Sequence, residues 1–171
     1  MRLVPTPVAC ELTGLSTEKL REWTSRRALV SVDVRPRCKG APAKFGWQTI
    51  LVLRIAVLLR EQFSMELQTH KASFALLREE LRNRSFISLW GQRLGLASDG
   101  NWTFLESNET VCGADVLLME LDRHLAILRD GFALPDANHA QMDLFSLPAT
   151  RGVHEDRASF VPSTSYQRRS A

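Results

Sequence analysis

Apolar residues recur along this chain with two different periods, and the changes of period mark out its elements. Residues 7–12 predict a short helix opened by Pro7 in its first turn. Thr13-Gly14 stops it, because glycine enters the left-handed turn conformation without a Cβ penalty. Ser16 is placed to cap a second helix, with Leu15 and Leu20 as a hydrophobic staple and Leu20 and Trp23 turned to the core. That leaves Thr17, Lys19, Arg21, Thr24 and Arg27 for solvent or a partner. Two helices joined by a tight glycine turn predict a helix-turn-helix unit. Next, Val30-Ser31-Val32-Asp33-Val34-Arg35 alternates as a strand does, residues 36–42 form a basic loop containing Gly40, and residues 43–45 return as the partner strand. The result is a wing carrying Arg35, Arg37, Lys39 and Lys44.

Farther along, residues 47–63 predict a core helix through Ile50, Leu51, Leu53, Val57 and Leu58, and residues 65–81 another. Residues 86–90 and 102–106 read as two short strands around a loop at residues 95–101. From Val111, the positions Ala114, Leu118, Leu121, Leu125, Leu128 and Phe132 alternate spacings of three and four, the seam of a coiled coil, with Gly131 ending the helix. Such a seam serves either as a monomer's core helix or as an antiparallel homodimer arm, and Leu117 and Met119 widen it toward the dimer. The pattern therefore predicts a mainly α chain: a winged helix-turn-helix over residues 1–84, a small β-hairpin and a long C-terminal helix over 85–131, and a disordered tail over 132–171.

Composition narrows the function classes. A chain of 171 residues that is 44% hydrophobic can bury one core of about 130 residues. The longest apolar run, residues 50–59, is interrupted by Arg54 and is too short for a membrane span, and the N-terminus lacks a signal-like apolar region, so a cytoplasmic protein is expected. Cys10, Cys38 and Cys112 are far apart and at no metal-ligand spacing, so no metal or other cofactor is expected. No phosphate-binding loop, nucleophile elbow or zinc motif is present, and pairs such as Asp115 with Asp122 or Glu79 with Glu80 read as solvated helix charge, which argues against an enzyme. His70, His124, His139 and His154 read as solvated. Through Arg84 the chain holds 15 Lys and Arg against 8 Asp and Glu, whereas residues 85–131 hold 3 against 7. The basic end is the end expected to meet a polyanion.

Within that basic end, Ala9-Cys10-Glu11-Leu12-Thr13-Gly14-Leu15-Ser16, then Leu20-Arg21-Glu22-Trp23, then Lys44-Phe45-Gly46-Trp47-Gln48-Thr49-Ile50-Leu51 together resemble the MerR-type winged helix-turn-helix. The resemblance implies double-stranded DNA as a partner. Thr17, Lys19 and Arg21 would lie in the major groove, with Arg35, Arg37 and Lys39 beside the phosphates. Two positions depart from the family. Arg27-Ala28 stands where a glycine usually follows the second helix, and Thr49 replaces a common acidic residue. A winged fold also serves protein binding in some proteins, since a fold does not fix a function.

In the tail, between Pro135 and Pro148, the chain reads Gln141-Met142-Asp143-Leu144-Phe145. This resembles the peptide by which bacterial polymerases and repair factors dock on the β sliding clamp, DnaN. The glutamine carboxamide takes a polar subsite, and adjacent Leu and Phe anchor in an apolar pocket, which an extended segment free of its own fold can reach. A small chain with a clamp peptide and no enzyme constellation is similar to the SocB-type replication toxins, whose partner is the SocA antitoxin acting as an adaptor for ClpXP proteolysis. The resemblance implies a toxin-antitoxin pair and inhibition of replication elongation. The alternative is a MerR-like transcriptional regulator whose tail is incidental.

Overall fold

The computed structural model describes residues 2–36, 41–109 and 115–135. Strand β1 (Val4–Pro5) leads into α1 (Thr6–Thr13), whose helix opens against Pro7 and closes at Gly14, with φ 76° and its N–H donated to the Cys10 carbonyl. Ser16 caps α2 (Thr17–Arg21) by accepting from the Lys19 amide at 3.2 Å. A π-helical turn, Glu22–Arg26, continues the helix. Thr24 faces inward there, donating its hydroxyl to the Leu20 carbonyl at 2.8 Å, so it is buried and not among the residues left for a partner.

The wing takes a different form from the predicted hairpin. Residues 30–35 meet the returning segment through a single bridge, Val34 to Lys44, and β2 (Lys44–Phe45) pairs instead with β1, antiparallel, Val4 opposite Phe45. The cause lies at Asp33. Its carboxylate accepts the Gly46 amide at 2.6 Å and pairs with Arg78 at 2.7 Å, which turns the chain onto the next helices before a ladder can form.

Helix α3 (Trp47–Gln62) is the spine of the core: Ile50, Leu51, Leu53, Ile55 and Leu59 are fully buried along it. Ser64 then reverses the chain at φ 52°, and residues 65–70 form turns, so α4 begins later than the apolar pattern suggests, at Lys71–Arg82. Residues 86–90 are not a strand. Ile87–Leu89 is a single 3-10 turn, because Phe86 packs edge-on against Trp47 and Trp90, holding this segment to the core. The strand is β3 (Gln92–Ala97), central in an antiparallel sheet between β4 (Trp102–Glu106) and β5 (Val116–Glu120).

That sheet also corrects the long C-terminal helix. Residues 116–120 pair with β3, Leu118 opposite Gly95, and only α5 (Asp122–Phe132) is helical. A side chain at Gly95 would meet Val116 Cγ1 at 2.8 Å, so the glycine makes room for this strand. The seam is thus interrupted between Leu118 and Leu125, and it offers no continuous dimer arm over the described residues. Gly131 lies inside α5, where its missing Cβ admits the Leu12 side chain; the helix ends instead with Ala133 in the left-handed region at φ 46°. One contiguous apolar cluster runs from Val4 to Phe132 through both sheets and the helices.

Candidate functional site

Two concave surfaces stand out. The larger, a cleft of about 1040 Å³, lies between α2 with its π-helical turn and the segment leading into β2. The turn from α1 places it: the Thr13 hydroxyl donates to the Ala9 carbonyl at 2.7 Å and accepts the Leu15 amide at 3.3 Å, fixing the exit angle of α2. Arg21, Arg26 and Arg35 line the cleft together with Ser25, Ser31 and Glu18. Three guanidiniums against one carboxylate make it a basic concavity, suited to a polyanion that binds through phosphates.

The predicted DNA contacts divide accordingly. Arg21 and Arg35 meet in this cleft. Lys19 is exposed on the other side of α2, beside Glu22, Arg27 and Arg60. Thr17 is exposed at the start of α2 with its hydroxyl 3.7 Å from Cys10 Sγ. Arg37 and Lys39 lie outside the described residues, as do Gln141, Met142, Asp143, Leu144 and Phe145. Arg26 escaped the sequence reading because the π-helical turn rotates it to the Arg21 side, a shift that no regular helical period signals.

The second surface is a groove of about 330 Å³ between the C-terminal half of α3 and the junction of β5 with α5. Val57, Leu58, Leu118 and Met119 give it apolar walls, and Arg54, Arg123 and His124 lie within it. His124 is not on a solvated face: it is 8% exposed, and its Nδ1 accepts from Arg54 Nε at 3.2 Å. Burial first, then the nearby charges of Arg54 and Arg123, lower its pKa to about 4, so the ring is neutral near neutral pH and able to accept that bond. Arg54 also donates to the Leu12 carbonyl, and burial together with Arg123 holds its pKa below the ordinary arginine value. Arg54 was visible in the sequence as the one charge in the apolar run 50–59; its partner, far along the chain, was not.

No family model matches the chain, and a search of curated proteins finds no match either. Among the described residues, no helix is long and apolar enough to cross a membrane.

Proposed function

We propose that this chain is a non-enzymatic bacterial protein that docks on the β sliding clamp through Gln141-Met142-Asp143-Leu144-Phe145 and thereby inhibits replication elongation. In this reading it is the toxin of a pair restrained by a SocA-like adaptor that delivers it to ClpXP. The observation that carries the reading is the peptide itself, a glutamine three residues before adjacent Leu and Phe, placed beyond a body whose last described residue is Pro135. Polymerases and repair factors would compete with it for one cleft, so its effect follows mass action and scales with its abundance.

The N-terminal body is proposed as a MerR-like winged helix-turn-helix. A second reading follows from it: a DNA-binding regulator acting through the basic cleft, favoured by the convergence of Arg21, Arg26 and Arg35. One pair of variants separates the two. Leu144→Ala with Phe145→Ala removes about 3 to 6 kcal/mol of apolar burial before ordering costs, enough to abolish a micromolar contact. Clamp co-purification and growth arrest should both be lost while the body stays folded, with its helical circular dichroism retained. If arrest instead survives this change and disappears with Arg21→Ala and Arg35→Ala, the clamp mechanism is wrong and the regulator stands.

A further inference from the structure

The groove beside α5 has chemistry that neither reading uses. Phe63 and Leu118, which line it, are 44% and 38% exposed, large apolar side chains without a cover among the described residues. Arg54 and Arg123 line it together with Glu61 and Glu120, yet neither arginine has a carboxylate within salt-bridge distance among the described residues. Two guanidiniums near one another, one of them partly desolvated, repel; a carboxylate entering between them relieves the repulsion and gains charge-assisted hydrogen bonds. The ligand this arrangement takes is a carboxylate flanked by large apolar side chains.

We propose that the groove is a docking site for such a segment, and that its occupant in the free protein is this chain's own Asp143-Leu144-Phe145. Reach permits it. Helix α5 begins beside the groove, and at its far end Ala133 turns the chain through a bond from the Leu134 amide to the Arg129 carbonyl at 3.0 Å. From Phe132 back to Arg123 is about 14 Å of helix, and the eight residues from Asp136 to Asp143 span up to about 27 Å. Asp143 then meets Arg54 and Arg123, and Leu144 and Phe145 cover Phe63, Leu118 and Met119. If the clamp reading holds, the groove shelters the clamp peptide, and docking on the clamp competes with docking in cis.

Amide exchange in the full-length chain tests the site directly. With Asp143→Asn, Leu144→Ala and Phe145→Ala combined, exchange over residues 54–63 and 116–124 should rise about tenfold, since the cover is gone. Arg123→Glu and, separately, Leu118→Ser change exposed residues and should raise it likewise. Either groove variant should also bind the isolated clamp more tightly than wild type, by the factor by which the free peptide population grows. Unchanged exchange in the tail variant overturns the proposal. So does protection that survives the tail variant but falls on dilution, which places a second copy of the chain in the groove. Clamp affinity unchanged in both groove variants overturns the sheltering. A wild-type chain that shows tail-dependent protection but no clamp binding overturns the clamp reading alone and leaves the groove site in place.

Discussion

Ala28 holds φ 47°, in the left-handed region that favours glycine. A Cβ in that region costs on the order of 1 kcal/mol. Ala28→Gly should therefore stabilise the fold by about that much and raise the melting temperature by about 2 to 4 °C, seen by thermal denaturation. His124 carries the opposite kind of strain, set by pH. Its folded pKa of about 4 lies below the ordinary 6.5, so the unfolded chain binds the proton first as pH falls. Its contribution is complete above about pH 6.5 and is lost as pH falls toward about 4, on the order of 3 kcal/mol in all. Urea unfolding at pH about 7 and about 5 should show this loss, and His124→Gln should flatten it.

At the scale of elements, Gly131 sets two effects against each other. Alanine in mid-helix gains about 1 kcal/mol of helix propensity over glycine. Here its Cβ would run into the Leu12 side chain, in a segment whose carbonyl is held by Arg54. Overpacking of this kind costs about 1 to 3 kcal/mol, so Gly131→Ala should destabilise the protein despite the better propensity, as a lower denaturation midpoint. The same contrast explains which elements the sequence revealed. Pro7, Gly14 and Ser16 act on their own neighbours, so the ends of α1 and α2 were legible. Strand β5 was not: residues 116–120 fit a helical seam locally, and only the space above Gly95, some twenty residues earlier, draws them into a sheet. The wing failed in the same way. The Asp33 pair with Arg78 joins residues 45 apart, and no local alternation records it.

For the molecule as a whole, the division of charge was readable from composition, but its focus was not. Net charge is +7 through Arg84 and −4 over residues 85–131, yet the cleft comes from a π-helical turn that brings Arg26 beside Arg21 and Arg35. The clamp-like peptide is a linear pattern that is read without a fold, and it lies outside the described residues. The groove was hidden because α3 and α5 assemble it from positions about 70 residues apart, as the Arg54 to His124 bond shows. Arg2 adds a constraint of a different kind: its guanidinium donates to the Phe132 carbonyl at 2.8 Å. The start of the chain and the root of its tail are thereby pinned to one pole, next to the β1 and β2 pair whose Phe45 borders the basic cleft. In the proposed clamp reading, a partner gripped by the tail would be held on a short leash from that cleft, at an effective concentration on the order of millimolar. In that reading an attraction too weak and salt-sensitive to register between free molecules would become an orienting force, turning the body so that its arginines face a polyanion carried by the partner.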